Sequence, residues 1–123
     1  MSAALVLLGH GSRNPVATEQ FHELVAQLQA RRNEPVYAAF MELAEPSLGA
    51  AVAAAVDRGA TEITVQPCFL FDGNHIRRDV PAMLAGLVAG NAAVTFRFGR
   101  PLGADRRVVD ILAEHAEEAA CLD

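Results

Sequence analysis

Ala3-Ala4-Leu5-Val6-Leu7-Leu8-Gly9-His10-Gly11-Ser12 decides the fold. Six apolar residues in succession, ended by a glycine, read as a strand buried on both faces of a parallel sheet, because a half-exposed strand would alternate apolar with polar residues. Asn14-Pro15 then reads as a helix cap followed by proline at the first helical position. Phe21, Leu24, Val25 and Leu28 recur at spacings that put them on one helical face.

Outward from this unit the alternation repeats. Pro35 to Met41 is apolar and rich in strand formers, and Pro46-Ser47 opens a helix lined by Leu48, Val52, Ala55 and Val56 and stopped by Gly59. Ile63 to Leu70 supplies a third strand, in which Pro67 cannot donate to a ladder, so regular pairing should loosen toward its carboxyl end. After the turn-prone Asp72-Gly73-Asn74, residues Val80, Met83, Leu84, Leu87 and Val88 mark a third helix, with Pro81 in its first turn. Ala93 to Phe98 alternates as a half-exposed edge strand does, and a last helix takes up Asp105 to Ala120.

Four strands alternating with four helices predict an α/β fold, a three-layer sandwich with helices on both faces of a four-stranded parallel sheet, residues 1–123 forming a single domain. With strand order 2-1-3-4, the topological switch point falls between strands one and three. Ligands are expected just beyond their carboxyl ends.

Bulk properties narrow the function. Of 123 residues, 52% are hydrophobic and 20% charged, which excludes disorder, and no apolar run approaches the ~20 residues of a membrane span. The amino-terminal residues lack the basic region and cleavage site of a secretory signal, so a cytoplasmic protein is expected. A net charge of −5 argues against nucleic acid and anionic membranes as partners. Two cysteines, Cys68 and Cys121, can build neither a disulfide framework nor a CxxC zinc site. All ten basic residues are arginines, and Arg13, Arg77, Arg78, Arg100, Arg106 and Arg107 lie in connections, where guanidinium groups suit an anionic ligand or simply face solvent.

His10 follows strand one directly and His75 stands just beyond strand three, so both fall in the expected crevice. Core formation requires an imidazole at neither position, whereas a site that binds a transition metal or moves protons near neutral pH commonly uses one. Two histidines without an obvious third ligand make a poor permanent zinc site and a better transient one. A histidine can both hold a metal and accept protons displaced when that metal passes to a ligand. Glu42 and Glu45, after strand two, are candidates to relay those protons, or could merely favour the following helix N-terminus. His22 and His115 adjoin helical apolar stripes and are expected to be packed or half-exposed. Phe69 reads as core, and Phe71 is the better candidate to stack on a flat ring.

Four segments together resemble the sirohydrochlorin cobaltochelatase family in its short, CbiX-like form. They are Leu8-Gly9-His10-Gly11-Ser12-Arg13, then Phe40-Met41-Glu42-Leu43-Ala44-Glu45-Pro46-Ser47, then the stretch from Pro67 to Pro81, and Pro101-Leu102-Gly103. The resemblance implies a chelatase-like fold and insertion of a divalent metal, cobalt foremost and nickel or iron as alternatives, into a tetrapyrrole of cobalamin or siroheme synthesis. It implies that His10 and His75 bind the metal, His10 also accepting protons, while a catalytic role for Glu42 rests on its place after strand two. Ser12, Arg13, Glu45, Leu70, Phe71, Asp72, Gly73 and Asn74 would contact the macrocycle. No cofactor is permanently bound on this reading, the metal being substrate, and the protein pairs as a homodimer. Asn74 departs from the small residue, usually glycine, expected at its position, and Cys68 replaces a typical aliphatic. Competing readings are a non-catalytic carrier of tetrapyrrole or metal, and a phosphoryl-transfer enzyme with His10 as nucleophile.

Overall fold

The computed structural model describes residues 2–73 and 78–122. Its elements follow in the order β1 (Ala3–Gly9), α1 (Pro15–Ala30), β2 (Val36–Phe40), α2 (Leu48–Asp57), β3 (Glu62–Pro67), α3 (Val80–Gly90), β4 (Thr95–Phe98) and α4 (Arg106–Glu117). All pairings are parallel and the strand order is β2-β1-β3-β4, as expected.

Local chemistry fixes the helix starts. The Asn14 side chain accepts from the Val16 N–H at 2.9 Å, and Ser47 Oγ accepts from Ala50 at 3.2 Å. The Asp105 carboxylate does the same for Arg107 at 2.9 Å. Each satisfies a donor that the first helical turn leaves without a partner.

The central strand explains its own composition. Ala4, Val6 and Leu8 point to one side, where they join Ile63 and Val65 of β3, Leu48, Val52 and Ala55 of α2, and Val80 of α3 in the main core. Leu5 and Leu7 are also buried, on the opposite side, where Leu7 shares a groove with Leu24 and Leu28 of α1. Burial on both faces is what the unbroken apolar run signals. Helix α4 belongs to the α1 side, since its Val108 and Ile111 share a cleft with Gln66, which alternates along β3 with the core residues Val65 and Pro67. No residue of α4 is buried. No helix among the described residues is long and apolar enough to cross a membrane.

Three expectations need correction. The third strand ends at Pro67 rather than Leu70. Cys68 still donates to the Leu8 carbonyl at 2.7 Å, but the Phe69 and Leu70 carbonyls accept from Leu102 and Gly103, at 2.9 and 2.6 Å, so the chain beyond Pro67 pairs with the β4–α4 connection. The last helix is Arg106–Glu117, shorter than the expected Asp105 to Ala120, because Asp105 serves as its cap and the terminal alanines lie past its end. His22 and His115 are exposed rather than packed, although the His22 ring centroid lies 5.8 Å from that of Phe40.

Candidate active site at the carboxyl ends of the central strands

The end of β1 is held from both sides. Met41 donates to the Gly9 carbonyl at 2.8 Å and Glu42 to the His10 carbonyl at 3.1 Å, so β2 and its continuation track β1 past the sheet proper. The loop turns at Gly11, whose φ of +95° favours glycine. A Cβ at Gly11 would overlap the Glu42 carbonyl oxygen, so the close approach of these two loops also requires glycine there. The sequence fragment Gly-His-Gly thus serves a turn and a backbone contact together.

The His10 side chain is exposed, and its ring centroid lies 4.1 Å from that of Phe69, at a tilt of 40°. Phe69 itself is 3% exposed and part of the core. A core ring therefore backs an imidazole that opens outward, which limits the rotamers that the imidazole can adopt. Phe69 was legible as a core residue; its contact with His10 was not, because it depends on the turn after β1 meeting the end of β3.

The other sequence candidates distribute along one rim. Ser12 accepts from the Asn14 N–H at 3.0 Å, which leaves its hydroxyl proton available, and Arg13 is exposed. His10 and Ser12 line a small cleft of about 170 Å³ with Phe21, Phe40 and Cys68. Glu42 and Glu45 are both exposed and line a neighbouring concavity of about 400 Å³ with Met41 and Leu43. Leu43 has φ of 64°, an uncommon conformation for a non-glycine residue that keeps this rim sharply bent. Leu70 and Phe71 are 44% and 68% exposed, and Asp72 and Gly73 continue the exposed segment. Asn74 and His75 lie outside the described residues, so the geometry places His10 and leaves His75 to the chemistry below. Among the described residues no three of histidine, cysteine, aspartate and glutamate converge as a metal site.

Two electrostatic effects bear on the rim. Burial pushes the Cys68 thiol up from its ordinary value, which keeps it protonated and a poor metal ligand at neutral pH. The Arg107 guanidinium, hydrogen-bonded to Asp105, holds that carboxyl well below the usual carboxylate range. Residues 100–105 stand out in sequence only as a short motif around Pro101, yet they line two clefts of about 470 and 390 Å³ on this end of the sheet. The signal was Gln66, a polar residue in an otherwise apolar strand end.

Comparison with known proteins agrees with this geometry. A sirohydrochlorin cobaltochelatase of Methanocaldococcus jannaschii is 34% identical over 139 residues, covering 92% of this chain and 96% of that protein. The crystal structure of a CbiX protein from Marinobacter aquaeolei VT8 superposes with a TM-score of 0.81 at 36% identity, covering 95% of this chain and 99% of that one. The sirohydrochlorin chelatase SirB of Bacillus subtilis subspecies spizizenii, solved in complex with cobalt, superposes with a TM-score of 0.92 at 30% identity; the match covers 98% of this chain but 52% of SirB. The CbiX family model matches residues 4–119, nearly the whole length, and the chain belongs to that family.

Proposed function

We propose that the protein is a sirohydrochlorin chelatase that inserts a divalent metal ion, cobalt foremost, into the macrocycle in cobalamin or siroheme synthesis. The observation that carries this reading is the exposed imidazole of His10, backed by Phe69 at the switch point of a CbiX-family fold. The full-length likeness to a cobaltochelatase supports the choice of metal. Nickel and ferrous ion remain chemically acceptable to imidazole.

Insertion exchanges two pyrrole protons for the metal: two N–H bonds break, the metal is bound by the four ring nitrogens, and two protons leave. His10 and His75 hold the ion through ring lone pairs. As the ion passes to the macrocycle, the freed His10 and His75 nitrogens each accept a proton, a step that positioned bases accelerate by about 10²- to 10⁴-fold. Glu42, whose N–H binds the His10 carbonyl, stands beside this route to relay the proton to water. Ser12, Arg13, Glu45 and the segment 70–74 contact the tetrapyrrole. The metal is a substrate on this account and no cofactor stays bound; the cytoplasm expected from the sequence belongs to the same reading.

A homodimer completes it. Val109 and Leu112 on α4 are 57% and 61% exposed, and the groove between Leu7, Leu24 and Leu28 lies open on the same side of the sheet. Apolar surface of this kind favours a partner, and since this chain matches only 52% of SirB, a second copy would supply the length that SirB holds in one chain.

The test is a side-by-side metalation of sirohydrochlorin by cobalt, nickel and ferrous ions, followed by the spectral change of the macrocycle. Acceleration over the spontaneous rate, greatest with cobalt, is expected. Tight binding of sirohydrochlorin without acceleration by any ion would replace the enzyme with a carrier.

A further inference from the structure

The connection from β4 to α4 is strapped to the end of β3 along its length. The Gly99 N–H donates to the Val65 carbonyl at 2.9 Å, and Gln66 Nε2 donates to the Arg100 carbonyl at 2.6 Å and to that of Pro67 at 3.1 Å. A Cβ at Gly99 would overlap the Gln66 amide, so glycine is what lets the amide cross to Arg100. Leu102 and Gly103 then donate to the carbonyls of Phe69, which backs His10, and of its neighbour Leu70. The backbone of Arg100 is thereby fixed relative to the His10 rim.

Arg100 lines two clefts, of about 470 and 390 Å³. The larger holds Arg100, Arg107 and Asp105 as its charged groups, with apolar walls from Leu102 and Ile111. Arg107 and Asp105 neutralise each other through a bidentate pair, both contacts 2.8 Å, so the cleft keeps one net positive charge, that of Arg100. In the smaller cleft Asp72 and Asp105 are the acids beside the same arginine. A positive, partly apolar cleft at the margin of a flat-ligand site suits a carboxylate carried on a short aliphatic arm.

Resting on the chelatase reading above, we propose that Arg100 is a specificity residue that binds a peripheral carboxylate of the tetrapyrrole, with Gln66 as the positioning residue that sets its reach. The arm enters the larger cleft along Leu102 and Ile111 while the ring lies toward His10. Arginine there selects macrocycles rich in carboxylates over those that carry few.

The experiment measures binding of metal-free uroporphyrin, with eight carboxylates, and coproporphyrin, with four, by fluorescence quenching, together with KM and kcat for sirohydrochlorin. Arg100→Gln should weaken uroporphyrin binding and raise KM about tenfold, the scale of one charged hydrogen bond, with kcat nearly unchanged. Arg100→Lys should recover part of the loss, and the preference for eight carboxylates over four should shrink in Arg100→Gln. Gln66→Leu should raise KM alone and add little to Arg100→Gln. Arg97→Gln, which removes a distant guanidinium paired with Glu62 at 2.7 Å, controls for charge alone and should leave affinity unchanged. Unaltered affinity and KM in a folded Arg100→Gln, in an active wild-type background, would overturn the role of Arg100 and leave the chelatase standing. A wild-type protein that neither binds nor metalates sirohydrochlorin would overturn both.

Discussion

The His10 imidazole and the Phe69 ring lie 4.1 Å apart, centroid to centroid, although 59 residues separate them in the chain. One belongs to the turn after β1 and the other to the segment after β3, so the contact exists only because these strands are neighbours in the sheet. Phe69 joins the hydrophobic core to the group proposed to handle the metal.

Replacing that ring while keeping its apolar character separates support from stability. Phe69→Leu should lower Tm modestly, at a cost of about 1 kcal/mol, because a smaller apolar group leaves a partial void. It should lower kcat for metalation more than tenfold while sirohydrochlorin affinity stays within about twofold, since the change frees the imidazole rather than the macrocycle contacts. Equal kcat in the variant would show that the ring merely packs.

Gly11 should be intolerant of any side chain. Gly11→Ala must place a Cβ on the Glu42 carbonyl at a φ of +95°, and relief requires the loops after β1 and β2 to separate. A loss of about 1–3 kcal/mol in unfolding free energy is expected, with metalation reduced further because Glu42 moves away from His10. Chemical denaturation and the metalation rate together check this.

The doubly wound order and the strap at residues 99–103 differed in how much of them the sequence discloses. The apolar run from Ala3 to Leu8, the caps at Asn14 and Ser47, and Pro67 each carry local signals that set strand, helix start and strand end without tertiary information. His10 was legible for the same reason, being polar directly after a buried strand. The pairing of Leu102 with Phe69 depends on which carbonyls Pro67 leaves without strand partners, and the role of Gln66 depends on Gly99 arriving opposite it. Such long-range matches leave only a misfit residue type as a trace in sequence.

The apolar surface of α4 makes a claim about assembly. Val109→Asp with Leu112→Asp should shift the protein from dimer to monomer in sedimentation or size-exclusion experiments, and these side chains, more than half exposed within one copy, contribute little to the fold of a lone chain. An unchanged sedimentation coefficient would remove the proposed interface.

Alkylation separates the two cysteines by pH. Cys121 is exposed, whereas burial raises the Cys68 thiol above its ordinary value, so its thiolate fraction, the reactive form, stays lower at any given pH. Iodoacetamide at pH 8 should label Cys121 first, and labelling of Cys68 should rise as pH is raised further. Peptide mass spectrometry that found Cys68 labelled as fast as Cys121 at pH 8 would contradict the buried placement beside the His10 cleft.

The most direct test of the account is the rate at which His10→Ala and His75→Ala metalate sirohydrochlorin with cobalt, set against wild type at equal bound substrate. Loss of about a hundredfold or more in each variant, with macrocycle binding retained, is the result that two cooperating imidazoles require. Wild-type rates in both variants would contradict it.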